Sequence, residues 1–174
     1  ADKSYDYHYN TADFATINYM QGKIAINDES CDAYCGSATI NDNNRSVNFT
    51  LTRPLGKLRV VTTDADKLSF GQYPDNVVFS TGSVAMTKAY NLLTGSVDGN
   101  KATFSEAAAA PMVLYGDETA DGAKRTLLTA YLFADDDGDV IKFNLTVKDK
   151  IDDETNVDIY TMKVVTDIPV VTDK

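Results

Sequence analysis

The feature that most limits the fold of this chain is an apolar residue at every second position. In residues 141–148 the apolar positions are Ile141, Phe143, Leu145 and Val147, and a polar residue follows each of them. Successive side chains of a β-strand point to opposite faces of its sheet. The pattern therefore predicts a half-buried antiparallel strand with one apolar and one polar face.

The same alternation predicts strands along most of the chain. Two neighbouring segments, 46–53 and 57–63, repeat it, with inward positions at Val47, Phe49, Leu51, Leu58 and Val60. Further strands are predicted at 15–20, 23–27, 37–40, 76–80, 83–88, 126–134 and 157–165. Many short strands without a long helix predict an all-β fold, and turn-forming residues at intervals of about 8–15 residues favour a β-sandwich over a propeller.

Helix is predicted in only two places, each a single turn. One is 64–68, where Asp64 can cap the turn, and the other is 105–110, where Pro111 ends it. A length of 174 residues suits one domain, so we predict a single domain over residues 1–174. No apolar run is long enough for a membrane-spanning helix, and the first residues do not resemble a signal peptide. If the protein is exported, we expect its signal to have been removed.

The charge of the chain argues against two classes of partner. The net charge is −10, and the lysines and arginines are scattered along the sequence. Nucleic acids and anionic membrane surfaces bind clustered cations, so we expect neither as a partner.

The sequence does not decide whether the two cysteines form a disulfide or are free thiols. The spacing of Cys31 and Cys35 permits a local disulfide, which would close a very short loop, and it equally suits two free thiols. A structural zinc ion needs four ligands, and His8 is the only histidine, so this pair does not predict a metal centre.

One loop is a run of carboxylates, consisting of Asp135, Asp136, Asp137, Gly138 and Asp139. Carboxylates are calcium ligands, but the glycine comes two residues too early for an EF-hand, and the twelfth position is Thr146 instead of glutamate. We predict a solvated hairpin turn here, between the strands 126–134 and 140–148, and a solvated acidic loop at residues 152–154. No cofactor or metal is predicted.

No catalytic constellation is legible in the sequence. Nothing singles out two of the 26 acidic residues as an acid and base pair. A nucleophilic triad would depend on His8, which we expect to be an exposed residue of a frayed terminus. The alternating Tyr5, Tyr7 and Tyr9 could stack on sugars or on a partner strand, or could form one face of an edge strand. We therefore predict no catalytic residues.

Several segments, taken together and in order, resemble the fimbrillin-like surface proteins of Bacteroidetes. They are residues 49–64, which are centred on Arg53 and Pro54, and residues 32–34, 89–95, 129–134 and 168–170. The resemblance implies a Greek-key β-sandwich of transthyretin-like or immunoglobulin-like type, exported as a lipoprotein to the outer membrane and cell surface. It implies a non-enzymatic subunit of surface fimbriae.

Fimbrial subunits of this kind join by strand addition at sheet edges. Relatives usually have a strand before residues 1–3 and another after residues 168–170, so this chain could be a trimmed form. We expect a neighbouring subunit or a second copy to supply a donor strand. Two other classes stay open, which are a carbohydrate-binding surface module and a hydrolase that uses two carboxylates.

Overall fold

The computed structural model of the chain describes residues 8–43, 46–65, 76–81, 85–97, 99–104, 110–111, 113–119, 122–133, 140–150 and 156–169. Within these residues the backbone forms strands and two single 3₁₀ turns, at Met20–Gly22 and Glu29–Cys31. The strands are β1 (Tyr9–Asn10), β2 (Ile17–Tyr19), β3 (Leu55–Thr62), β4 (Asn76–Ser80), β5 (Met86–Thr87), β6 (Ala89–Asn91), β7 (Ser96–Val97), β8 (Lys101–Ala102), β9 (Ala110–Pro111), β10 (Arg125–Phe133), β11 (Val140–Lys150) and β12 (Asn156–Pro169).

The strands pair in antiparallel fashion throughout the described residues. They form sheets with the orders β1-β2-β6-β7, β10-β3, β12-β11-β4-β9 and β5-β8. Helix is limited to short turns in this part of the chain. The prediction of an all-β fold is confirmed.

All nine residues of strand β10 are buried. It pairs along its length with β3, so that Tyr131 lies opposite Lys57 and Thr129 opposite Arg59. The register shifts by one residue between Thr126 and Leu128. The predicted strands 57–63 and 126–134 correspond to this pair and are confirmed.

The other edge of β10 is covered by the segment that precedes the second 3₁₀ turn. Ile26 forms an isolated antiparallel bridge with Ala130. The side-chain oxygen of Asn27 accepts a hydrogen bond of 2.7 Å from the backbone N–H of Thr129. The predicted strand 23–27 is thus reduced to one bridge, because the chain turns away at Asn27, whose φ is 54°.

The longest strands lie in the sheet β12-β11-β4-β9. Alternation in β11 places Phe143 and Leu145 in the core, and the Phe143 ring lies 5.5 Å from that of Phe79 on β4. The prediction of a half-buried strand at 141–148 is confirmed for these residues, whereas the side chains of Ile141 and Val147 are outside the described set.

Most of the buried apolar side chains of these sheets belong to one connected cluster. It contains Tyr19 from β2, Phe79 from β4, Leu128 and Phe133 from β10, and Phe143 from β11. Burial of such side chains contributes about 1.5–3 kcal/mol each. This shared core is therefore the main source of stability that links the sheets.

Two predicted strands are wrong. Residues 37–40 form no strand, and in 46–53 only Thr52 pairs, through a bridge with Cys35. Phe49 and Leu51, which were expected to point inward, are 58% and 56% exposed. Alternation specifies two faces, but burial of one of them requires a neighbouring strand, and no strand of the described residues lies beside 46–51.

Neither predicted helical turn is tested in full. Of 64–68 only Asp64 and Ala65 are described, and of 105–110 only Ala110, which begins β9.

Candidate functional site

A surface cleft of about 320 Å³ lies where β1, β2 and β6 meet the end of β10 and the start of β3. Its volume is at the lower end of the range for ligand pockets. Its lining is predominantly apolar and consists of Tyr9, Thr11, Phe14, Ile17, Ala33, Tyr34, Cys35, Gly36, Leu51, Pro54, Leu55, Tyr90, Leu92 and Phe133. The cleft is therefore a candidate site for an apolar ligand or partner segment.

The floor of the cleft is a cluster of aromatic rings around Phe133, the last residue of β10. Its ring centroid lies 4.8 Å from that of Tyr19, 5.8 Å from that of Tyr9 and 6.3 Å from that of Tyr90, which is nearly parallel to it. The Tyr9 hydroxyl donates to the backbone oxygen of Cys31 at 2.6 Å, and the Tyr19 hydroxyl accepts from the Phe133 N–H at 2.8 Å. The hydroxyls of Tyr9 and Tyr19 are therefore satisfied by backbone groups of the chain.

Burial raises the pKa of the Tyr9 and Tyr19 hydroxyls well above the ordinary value. Both hydroxyls stay protonated at physiological pH, so the floor presents ring faces and no phenolate charge.

The rim of the cleft exposes large apolar side chains to solvent. Phe14 and Tyr34 are each 55% exposed, and Leu51 is 56% exposed. The Phe49 ring lies beside Gly36 and extends the same apolar patch. Contiguous exposed apolar groups of this kind are typical of interaction surfaces.

The rim is held by a short antiparallel contact between two segments. The backbone N–H of Cys35 donates to Thr52 O at 2.9 Å, and the N–H of Thr52 donates to Cys35 O at 2.8 Å. Beside this bridge, a methyl group placed on Gly36 would lie 2.7 Å from the carbonyl oxygen of Thr50. Only glycine allows the two backbones to approach so closely.

Arg53 fixes the position of Tyr34 on the rim. It donates from Nε to Asp32 Oδ1 and from a terminal nitrogen to Asp32 Oδ2, each at 2.7 Å. The same guanidinium donates to the Tyr34 hydroxyl at 2.6 Å and lies 5.0 Å from the Tyr34 ring centroid. A planar fork can make both contacts at once, and the ammonium of a lysine cannot.

A separate polar cluster surrounds Glu29 beside β3 and β10. Its two carboxylate oxygens accept from Lys57 Nζ at 2.9 and 2.8 Å, from the Tyr115 hydroxyl at 2.6 Å and from the Tyr131 hydroxyl at 2.5 Å. The hydrogen bonds from Lys57, Tyr115 and Tyr131 lower the pKa of Glu29 to about 2. A carboxylate so well satisfied is a weak base, and its contacts are suited to holding the structure together.

A second acidic residue, Glu118, is fully enclosed. It accepts from the N–H and hydroxyl of Thr126 at 2.9 and 2.8 Å, from the Tyr115 N–H at 3.1 Å and from Arg59 at 2.7 Å. Burial opposes its ionisation, but these donors and the charge of Arg59 outweigh burial, and the pKa of Glu118 is lowered. Arg59 also covers the Tyr115 ring, 4.7 Å from its centroid, so the two polar clusters share Tyr115.

The cysteines are free thiols with different surroundings. Cys31 is buried, and burial together with the charges of Asp28 and Glu29 raises its pKa to about 12. Without a bound cation beside it, this thiol is therefore protonated at neutral pH. Cys35 is half-buried at the cleft.

The expectation that His8 is an exposed terminal residue is wrong. Its side chain is only 14% exposed, and Nε2 lies 2.8 Å from the Ser30 hydroxyl. The backbone oxygen of His8 accepts from the Met20 N–H at 2.8 Å, so β1 is tied to β2 just before its first residue. Pairing with β2, which the sequence could not specify, removes His8 from solvent.

Tyr9 lies on β1, which is the edge strand of its sheet among the described strands, as one of the two interpretations of the tyrosine stripe predicted. Tyr5, Tyr7 and the acidic residues 135–139 and 152–154 lie outside the described residues. The strands on either side of 135–139 do not form the predicted hairpin, because β10 pairs with β3 whereas β11 pairs with β12 and β4. Sequence reasoning missed the outward-facing Lys57 and Arg59, although they alternate with the predicted inward positions Leu58 and Val60.

The fold and the cleft thus define an all-β protein with an exposed apolar cleft. The full chain, residues 1–174, matches a family of unknown function, DUF6562, and the chain belongs to that family. No curated protein and no solved structure matches the chain. In the described part of the chain, no helix is long and apolar enough to cross a membrane.

Proposed function

We propose that this chain is a non-enzymatic structural or adhesive subunit of bacterial surface fimbriae, and that it assembles by strand addition at a sheet edge. In this proposal the sheets are the layers of a single Greek-key sandwich of transthyretin-like or immunoglobulin-like type. The protein works outside the cell, at the surface or on the fimbrium, and its partners are other fimbrial subunits. Any membrane attachment is through a lipid anchor.

The observation that carries the proposal is the segment 46–51, which we call the open segment. It has the alternating sequence of a strand, but it pairs with no strand of the described residues. Phe49 and Leu51 consequently remain more than half exposed. A strand from a neighbouring subunit would bury these side chains and give the open segment the backbone partners of a sheet.

The cleft supports the same proposal because it adjoins the open segment through Leu51. An incoming strand needs backbone partners for affinity and apolar recesses for its alternate side chains, which set its register. Gly36 and Leu51 line the cleft, and they are the chain neighbours of Cys35 and Thr52, whose backbone bridge ends the open segment. The two features therefore form one continuous acceptor surface.

Two of the segments that resemble the fimbrillin-like proteins meet beside this surface. Residues 32–34 and 49–64 are far apart in sequence, and they are joined by the contacts of Arg53 with Asp32 and Tyr34. We infer that this contact holds the acceptor surface in place.

Self-association of the purified full-length chain tests the proposal. Sedimentation velocity over a range of concentrations should show oligomers, and Leu51→Lys should reduce them strongly by placing a charge in the contact. Leu93→Lys is the matched control, because Leu93 is 67% exposed and does not line the cleft. A chain that stays monomeric at every concentration, or equal loss of oligomers in both variants, would contradict the proposal.

A carbohydrate-binding surface module is the second candidate. It is favoured by Tyr34, an exposed aromatic ring whose orientation is fixed by Arg53. Such a ring can stack on the apolar face of a sugar. A glycan screen in which binding is lost in Tyr34→Ala and retained in Leu51→Lys would favour this function over strand addition.

A further inference from the structure

Three side chains with metal-ligating atoms meet beside the 3₁₀ turn Glu29–Cys31. A ring nitrogen of His8, a carboxylate oxygen of Asp28 and the sulfur of Cys31 all lie within 4.8 Å of one another. None of the three lines the apolar cleft. The sequence does not suggest this cluster. By spacing, Cys31 would be expected to act with Cys35, whereas the fold places Cys31 beside His8 and Asp28.

Local structure explains why Asp28 and Cys31 converge. A 3₁₀ helix has three residues per turn, so side chains three positions apart lie on the same side. Asp28 precedes the turn and caps it, with Oδ1 accepting from the Ser30 N–H at 2.9 Å. The Cys31 N–H donates to the Asp28 carbonyl oxygen at 3.2 Å and completes the turn.

His8 reaches the same place from a different part of the chain. Its backbone is held by the Met20 N–H, and its Nε2 lies 3.6 Å from Asp28 Oδ2. The Ser30 hydroxyl lies 2.8 Å from His8 Nε2 and 2.5 Å from Asp28 Oδ1, and so links the two side chains. Two of the three ligating groups are thus held in position by hydrogen bonds.

We propose that His8, Asp28 and Cys31 bind a divalent transition-metal ion, with water or the Ser30 hydroxyl as the fourth ligand. One imidazole, one carboxylate and one thiolate match the nitrogen, oxygen and sulfur donors of zinc, whereas calcium and magnesium prefer oxygen donors alone. On binding, the Cys31 thiol loses its proton to solvent and a sulfur–metal bond forms in its place. The Asp28 side chain is 42% exposed, which gives the ion a route to the site.

Cobalt(II) is a suitable probe, since it takes the geometry of zinc and reports a thiolate ligand by a charge-transfer band in the near ultraviolet. The reduced full-length chain, stripped with a chelator, should bind cobalt saturably with this band, and zinc should displace it. Cys31→Ser should abolish the band. Cys35→Ser is the matched control, because it removes the other free thiol and should leave the band unchanged.

His8→Gln and Asp28→Asn keep the proposal testable if Cys31→Ser does not fold. Both replace groups outside the apolar core, and each should weaken cobalt binding by at least about tenfold, the minimum expected for disturbing a metal ligand set. Far-ultraviolet circular dichroism checks that each variant is folded. Absence of saturable binding, a band that survives in Cys31→Ser or vanishes in Cys35→Ser, or unchanged affinity in both other variants would overturn the proposal.

Discussion

The guanidinium of Arg53 bonds both carboxylate oxygens of Asp32, and the two N···O distances are 2.7 Å. The residues are 21 positions apart, and between them lie the bridge from Cys35 to Thr52 and the open segment. This pair closes the base of the loop that carries the exposed Phe49 and Leu51. The Arg53–Asp32 pair therefore helps to position the proposed acceptor surface.

The first prediction concerns the coupling of this pair. Arg53→Ala and Asp32→Ala should each lower the stability of the chain modestly, and the double variant should be no less stable than the worse single variant, because both changes remove the same interaction. Urea denaturation measures the three values. Arg53→Lys should behave like Arg53→Ala, since lysine cannot form the bidentate contact. Additive losses would contradict a direct coupling.

The second prediction concerns the enclosed carboxylate of Glu118. Glu118→Ala leaves the Thr126 N–H and hydroxyl and the Tyr115 N–H without their acceptor, so it should lower the free energy of unfolding by about 2–3 kcal/mol. Asp117→Ala, in the same loop, removes only an exposed pair with Lys124 and should change stability little. Equal effects of the two changes would show that the Glu118 contacts add nothing.

The third prediction concerns the contribution of Glu29 to the free energy of unfolding at acidic pH. Because the hydrogen bonds from Lys57, Tyr115 and Tyr131 hold the pKa of Glu29 at about 2, below the ordinary 4.5, its contribution is complete above pH 4.5 and is lost as the pH falls towards 2. The contribution is small, since the Glu29 side chain is 46% exposed.

Denaturation of Glu29→Gln at several pH values tests this contribution. The variant should be less stable than the unmodified chain near neutral pH, and the difference should narrow between pH 4.5 and 2. Asp42→Asn, at an exposed loop position, serves as the control for removing one acidic residue. A difference that is constant over this range of pH would contradict the account.

The fourth prediction concerns the close backbone approach at Gly36. The Cβ of Gly36→Ala would lie 2.7 Å from the Thr50 oxygen, so the backbone must shift, at a cost of about 1–3 kcal/mol. Gly99→Ala meets nothing within 4 Å and should be neutral or slightly stabilising. Thermal unfolding of both variants makes the comparison, and equal melting temperatures would argue against the tight contact.

Sequence reasoning was most successful where a strand and its partner both alternate. Leu58 and Val60 on β3 face inward, and Phe143 and Leu145 on β11 are buried, because each strand lies beside another strand that completes its sheet. The same reasoning failed for 46–53, whose sequence is equally alternating. Periodicity describes one strand, whereas burial depends on whether a second strand is placed against it.

The candidate sites could not be predicted from the sequence for a related reason. His8 and Cys31 come together only because β1 pairs with β2 beside the 3₁₀ turn, and Glu29 meets Tyr115 across 86 positions of sequence. Contacts of this range have no local signature. The aromatic floor of the cleft could be anticipated only as a general excess of tyrosine.

Amide hydrogen exchange in the open segment tests the central claim most directly. Residues 46–51 should exchange quickly in the dilute chain, because no described strand pairs with them, and should become protected when the chain assembles. Residues of β10, which are paired in both states, provide the internal reference. Assembly without added protection at Phe49, Thr50 and Leu51 would contradict the claim that this segment accepts a neighbouring strand.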